Sequence, residues 1–125
     1  MQSSVSRTWI VAKVVITTPD NMVLAIRRSH TAPHQALRWD LPGGLIEYGE
    51  DPVAGLVRET AEETGLTITD ITPVLVTSAR PNDHYEICLY FKAASTSAEV
   101  KLSYEHDRFK WTRRVDRLAH DAPPS

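Results

Sequence analysis

Glu59, Glu62 and Glu63 stand at i, i+3 and i+4 in a segment that reads as a helix, so their side chains emerge as one cluster. Like-charged neighbours on an exposed helix cost roughly 0.2–0.5 kcal/mol per pair, and Arg58 is the only local counter-charge. Two readings follow. The cluster is a solvated acidic face, or it is a set of hard oxygen ligands for a divalent cation, Mg²⁺ with Mn²⁺ as a substitute. In the second case the chemistry is metal-assisted, with a bound cation neutralising anionic substrate oxygens and acidifying water.

A helix over Pro52 to Thr64 has to carry these carboxylates. Asp51 followed by Pro52 is a start signal, and Gly65 closes the segment. At ~100° per residue, Val53, Leu56, Val57, Thr60, Ala61 and Thr64 fall within an arc of about 140° that faces a sheet. The three glutamates occupy a separate arc of about 100° on the far side.

The sheet comes from short apolar runs. Ile10 to Ile16 reads as a buried strand broken only by Lys13, and Pro19, Asp20 and Asn21 turn the chain into Met22 to Ile26, which suggests an antiparallel hairpin. Ser29 to Arg38 lacks periodicity and reads as a loop, followed by a break at Pro42, Gly43 and Gly44. Ile71 to Thr77 and Tyr85 to Ala93 predict two more strands around the turn residues Pro81, Asn82 and Asp83. Ser95 to Ser97 is a polar loop, Phe109 to Trp111 a short edge strand, and Val115 to His120 one or two helical turns before Pro123 and Pro124. Interleaved strands and helices place the chain in the α/β class with a mixed sheet covered on at least one face.

Residues 44–66 read GLIEYGEDPVAGLVRETAEETGL, which carries every fixed letter of G-x5-E-x7-R-E-U-x-E-E-x-G-U: Gly44, Glu50, Arg58, Glu59, Glu62, Glu63 and Gly65. The apolar position after Glu59 is Thr60, a mild departure; the last is Leu66. Seven specified residues would coincide by chance with a frequency on the order of 10⁻⁸ per start point. The segment resembles the signature of the Nudix hydrolase family, and the flanking order of strands and loops is similar to that family's α/β/α sandwich, extending the resemblance over most of a single domain, residues 1–125.

The resemblance implies that Glu59, Glu62 and Glu63 bind divalent cations together with the Gly43 carbonyl; by resemblance to MutT-like members Glu59 serves instead as general base, an assignment that varies within the family and sometimes falls outside the motif. Arg58 and Glu50 match positions whose ion pair orients the catalytic helix. Glu105, six residues before Trp111, resembles a further metal-binding glutamate on a loop after the sheet; a solvated loop glutamate is the alternative. Arg27, Arg28 and Arg38 are candidates by position for stabilising the leaving phosphate. Glu47 reads as solvated, and His84 and His106 as exposed loop histidines with no spaced ligand partner.

Composition sets the outer limits. The 125 residues are 42% apolar and 24% charged, which fits one globular domain, and a net charge of −2 leaves no basic footprint for long nucleic acids. The late basic cluster of Arg108, Lys110, Arg113, Arg114 and Arg117 reads as a solvated face. Cys88, the only cysteine, permits no internal disulfide and reads as a small core residue in a reducing compartment. The opening Met-Gln-Ser-Ser-Val-Ser-Arg lacks the apolar region of a signal peptide, and no stretch reaches the ~18 apolar residues of a membrane span, so no membrane association and a cytoplasmic location are expected.

The function expected from the resemblance is Mg²⁺-dependent hydrolysis of the diphosphate linkage in a nucleoside diphosphate joined to another group. Pro81, 15 residues beyond Leu66, resembles a placement in members acting on ADP-ribose, and turns the expectation toward a nucleotide sugar. A MutT-like pyrophosphatase for triphosphates such as 8-oxo-dGTP is the competing substrate class, and a nucleotide-binding module without catalysis the competing function. The short stretch after Leu118 leaves little room for the long last helix of many members, so a homodimer partner is expected over the exposed apolar surface.

Overall fold

The computed structural model describes residues 7–31, 36–81 and 84–113. Strand β1 (Thr8–Thr17) is the axis of the sheet, with Ala12, Val14 and Ile16 fully buried on one face because alternate residues of a strand share a side. Asn21, at φ 65°, closes the expected turn into β2 (Met22–Arg28). The two strands are antiparallel, but they pair only at the turn end, Thr17↔Val23. Below that point they diverge. A short strand β3 (Trp39–Asp40) joins β2, and β4 (Gly43–Leu45) joins β1 through Val11↔Leu45, Ala12↔Gly44 and Lys13↔Gly43.

Helix α1 spans Pro52–Thr64, with Pro52 opening it. The Asp51 side chain accepts from the Ala54 N–H at 2.9 Å, a cap that contributes about 1 kcal/mol. Gly65 ends the helix at φ 75°, in the left-handed region, and donates to the Ala61 carbonyl. The helix leads into β5 (Ile68–Ala79), which pairs antiparallel with β6 (Tyr85–Ser95). Strand β6 then runs parallel to β1 from Thr8↔Tyr85 to Thr17↔Ala94. Strand β7 (His106–Arg113) lies antiparallel on the outer side of β2, with a bulge opposite Arg27 and Arg28. Among the described strands it pairs with β2 alone, which makes it the expected edge strand, longer than the Phe109 to Trp111 segment.

The result is an α/β sandwich with a mixed sheet of order β3-β2-β1-β6-β5, where β4 and β7 are side branches on β1 and β2. Leu24 and Ile26 of β2, Phe91 and Ala93 of β6, and Leu66 and Ile68 beyond the helix close the core around Leu56. The stripe expected on α1 needs correction. Leu56, Thr60 and Thr64 are buried and Val57 is half-buried, but Val53 and Ala61 are exposed, and Gly55 and Glu63 are buried instead. Glu63 lies seven residues after Leu56, nearly two full turns, and so falls in line with the buried row.

No helix among the described residues is long and apolar enough to cross a membrane. The helical turns expected over 115–120, Arg114 and Arg117 of the basic cluster, and the turn residues Asn82 and Asp83 lie outside the described residues. Arg108, Lys110 and Arg113 are exposed as expected, with Lys110 Nζ 4.4 Å above the Trp39 ring.

Candidate active site

The site is built from a close approach of backbones. Gly43 sits at φ 135°, and a Cβ placed there would stand 2.0 Å from the Ala12 carbonyl oxygen, so only glycine lets β4 lie against β1. From this position the Gly43 N–H donates to Glu63 Oε1 at 2.9 Å. Glu63 is 9% exposed, and burial pushes its carboxyl up to about 7; the Gly43 donor and the Lys13 charge oppose that shift, while Glu59 and Asp40 add to it.

Arg58 gathers the remaining motif carboxylates. Its Nε and Nη2 donate to both oxygens of Glu50 at 2.9 and 3.0 Å, and its Nη1 stands 3.4 Å from both Glu59 and Glu62. Glu50 also accepts from the Glu47 N–H at 3.0 Å. The Arg58 bond holds the Glu50 carboxyl below its ordinary range, and Glu50 in turn raises the pKa of Arg58. This bidentate pair spans the loop and the helix, which is the orienting geometry expected of it. Gly44 gives the Glu59 carboxylate its berth, since a Cβ there would fall 2.8 Å from it. Burial raises the Glu59 pKa; the Arg58 charge opposes this, and Glu62 and Glu105 reinforce it. Glu62, with a side chain 60% exposed, reaches toward solvent.

The other predicted residues divide by face. Glu105 is close enough for its charge to act on Glu59; its carbonyl accepts from the Ser29 N–H at 2.8 Å, which ties the loop to the end of β2, and the Ser103 N–H donates to the Glu63 carbonyl at 3.2 Å, which holds the same loop to the helix. Arg28 continues the row of Leu24 and Ile26 toward the helix side, and its N–H bonds to the Arg38 carbonyl at 2.9 Å. Arg27 faces the opposite way and is held by Asp107 in a bidentate pair at 3.0 and 2.9 Å. The reading of His84 and His106 as exposed loop residues is corrected. His106 opens β7 opposite Arg28 at 6% exposure, where burial and then the Arg28 charge lower its pKa; His84 stacks on Trp9 with ring centroids 3.8 Å apart. Lys13 and Asp40, which spacing did not single out, stand beside Glu63 and pair at 2.8 Å. The signal for Lys13 was a lone charge inside an otherwise apolar run.

Cys88 is half-buried, and burial raises its thiol pKa, which fits a packing residue. Thr60, at the motif's apolar position, is fully buried, and its hydroxyl has no hydrogen-bond partner among the described residues.

The donor set fits a hard divalent cation in its chemistry. Every candidate ligand is an oxygen, two of the carboxylates are raised in pKa by burial and by neighbouring carboxylates, and Gly44 leaves the berth that the Glu59 carboxylate uses and a side chain would fill. Among the described residues no three His, Cys, Asp or Glu side chains already form an ion cage. Arg58 Nη1 lies between Glu59 and Glu62, and Glu63 faces the Gly43 N–H, so the expectation of three converged glutamates is met in proximity but not in orientation.

The buried carboxyl has a measurable consequence for the metal-free protein. Its pKa is about 7 when folded against 4.5 when unfolded, so Glu63 binds its proton more tightly in the native state. That stabilisation is complete below 4.5 and is lost as pH rises through about 7. Glu50 and Asp107, whose pKa values are lowered by arginine partners, act in the opposite direction as pH falls. Comparison with Glu63→Gln isolates the Glu63 share. Urea unfolding in chelator at pH 5 and pH 8 is expected to show the variant gaining relative stability at pH 8, by an amount on the order of 3 kcal/mol. A difference that does not change with pH would mean that the carboxyl is not held protonated.

Comparison with known proteins gives the same pattern. The NUDIX domain family model matches residues 7–123. A MutT-like protein of Streptomyces ambofaciens is 30% identical over 99 residues, covering 78% of this chain, which spans 58% of that relative's length. The nucleoside triphosphatase NudI of Escherichia coli is 33% identical over 95 residues, 67% of each chain. In structure, a MutT protein from Methanosarcina mazei superposes with a TM-score of 0.80 at 30% identity, covering 98% of this chain and 88% of its own. A family model spanning nearly the whole chain, together with a motif that keeps every fixed letter and whose carboxylates gather around Arg58 and Gly43, places the chain in the Nudix family of hydrolases.

Proposed function

We propose that the chain is a divalent-cation-dependent pyrophosphohydrolase that cleaves a phosphoric anhydride bond in a nucleoside diphosphate derivative, with nucleoside triphosphates as the substrate class. The observation that carries this reading is the placement of Glu59, Glu62 and Glu63 on one rigid helix, locked to its loop by the Glu50–Arg58 pair. Glu59, Glu62, Glu63 and the Gly43 carbonyl would hold Mg²⁺ or Mn²⁺, with Glu105 approaching from the loop before β7. When bound, the cation supplies positive charge against the diphosphate oxygens. In the alternative assignment Glu59 leaves the ligand set and accepts the proton of the attacking water, a role that suits a half-buried carboxyl whose pKa burial raises. Arg28 and Arg38 would stabilise the leaving phosphate, whereas Arg27 is committed to Asp107.

The triphosphate class rests on the names of the relatives, a nucleoside triphosphatase and MutT-like proteins. The nucleotide-sugar reading rests on Pro81 alone, a half-buried residue in the β5–β6 turn whose carbonyl accepts from the His84 N–H. Rates on the common nucleoside triphosphates, 8-oxo-dGTP and ADP-ribose with Mg²⁺ separate them. At least one triphosphate is expected to exceed ADP-ribose by about ten-fold or more in kcat/KM. Faster hydrolysis of ADP-ribose would transfer the assignment to a nucleotide sugar. Tight nucleotide binding by calorimetry without product under any divalent metal would identify a binding module.

A further inference from the structure

Lys13 is the only charged residue of β1, flanked by the fully buried Ala12 and Val14. Its neighbours on the same face of the strand are Val11 and Val15, so packing alone would be served by an aliphatic side chain. A lysine here costs desolvation and rotamer freedom, which its contacts must offset. Those contacts all lie on the segment that leads to Gly43.

We propose that Lys13 and Asp40 form a positioning latch that fixes the Gly43 N–H, and through it the Glu63 carboxylate, against the helix. Lys13 Nζ donates to Asp40 Oδ2 at 2.8 Å and to the Leu41 carbonyl at 3.4 Å. The second oxygen of Asp40 accepts from the Leu41 N–H at 2.7 Å. The Val14 N–H then donates to the Pro42 carbonyl at 3.0 Å, and Gly43 pairs with Lys13 in the β1–β4 ladder. Residues 40–43 are thus tied one after another to two adjacent positions of β1. Without these ties the segment would be loose, because β3 has two residues and β4 three, too few to hold themselves, and two glycines follow Pro42. The Gly43 N–H is the donor that meets Glu63 Oε1, so freedom in this segment becomes freedom of the carboxylate. Lys13 and Asp40 also influence Glu63 with opposite signs, which makes the pair a geometric support more than a source of net charge.

The proposal rests on the reading of Glu63 as a cation ligand, and the test keeps the two apart. Mn²⁺ binding to the whole chain is measured by electron paramagnetic resonance for the wild type and for Glu63→Gln, Lys13→Met, Asp40→Asn, Lys13→Arg and the Lys13→Met/Asp40→Asn double variant. Kinetics and melting temperature are recorded on the same samples. Lys13→Met and Asp40→Asn are expected to weaken Mn²⁺ binding by about ten-fold or more, the loss typical of a group supporting a metal ligand. The double variant should be no weaker than the weaker single one, since both act on one contact. Lys13→Arg should keep affinity within about three-fold of the wild type, whereas in Lys13→Met and Asp40→Asn kcat should fall with an unchanged nucleotide KM. A lower melting temperature with unchanged Mn²⁺ affinity would make the pair merely structural, and a rise in KM alone would make it a substrate contact. Loss of Mn²⁺ binding in Glu63→Gln but not in the pair variants overturns the latch alone. Intact binding in Glu63→Gln overturns both. If Lys13→Met fails to fold, Asp40→Asn, at the more exposed end of the pair, decides the matter.

Discussion

Glu63→Gln is expected to lower turnover by at least about a hundred-fold while leaving the fold intact. The amide keeps the shape of the carboxylate, and its oxygen still accepts the Gly43 N–H that Glu63 takes at 2.9 Å. What it removes is a negative charge, which at 9% exposure faces Glu59 and Asp40 as well as Lys13. A buried charge with anionic neighbours is unfavourable for folding, so its retention calls for a ligand. The variant should therefore lose activity and, above pH 7, gain stability, a combination that separates a functional charge from a structural one. Initial rates with saturating Mg²⁺, measured beside urea unfolding, check both halves. Activity within a few-fold of the wild type would remove Glu63 from the cation site.

The second large effect is expected on the fold itself. Gly43→Ala should destabilise the protein by more than about 3 kcal/mol or prevent folding, because two penalties coincide. The backbone at φ 135° is closed to a side-chain-bearing residue, and the new Cβ would meet three backbone atoms of β1: the Ala12 oxygen at 2.0 Å, with the Ala12 carbon and Lys13 Cα both at 2.9 Å. Backbone in a central strand cannot yield as a side-chain tip can. Relief requires β4 to leave β1, which removes the donor to Glu63. Gly49→Ala is the matched control. Its φ of 81° also disfavours alanine, but a Cβ there meets nothing within 4 Å, so a cost of about 1 kcal/mol is expected. Denaturant midpoints of the two variants measure the contrast, and equal losses would show that strain in φ, not the close approach, governs Gly43.

Much of the chemistry and most of the elements were legible without coordinates because they are local. Asp51, Pro52 and Gly65 mark a helix through their own hydrogen-bonding and φ preferences, and the structure places its ends at Pro52 and Thr64. The strands beginning near residues 10, 22, 71 and 85, the edge strand around Trp111 and the turn at Asn21 follow from alternation and turn chemistry in the same way. The motif placed the acidic residues and Arg58 on one element, where helical spacing already puts them within reach of each other. The Glu50–Arg58 pair was foreseen only through the family resemblance, since nothing local joins a loop residue to one on the helix.

Tertiary packing decided the rest, for a reason that spacing cannot supply: a period states which side chains share a face, not what covers it. Glu63 and Glu62 are adjacent in the chain, yet one is buried against Gly43 and the other is open to solvent, because they point about 100° apart on the helix and Glu63 is the one that meets Gly43 of β4. Arg27 and Arg28 are likewise adjacent, and the strand sends one to Asp107 on β7 and the other toward the helix side. The Lys13–Asp40 pair, the nearness of Glu105 to Glu59, the burial of His106 and the stacking of His84 on Trp9 join residues from separate strands and loops. The sequence alone determined which groups are available for chemistry and the elements that carry them. Their charges, exposures and partners were decided when β1 and β2 diverged and the Asp40–Gly44 segment entered between them.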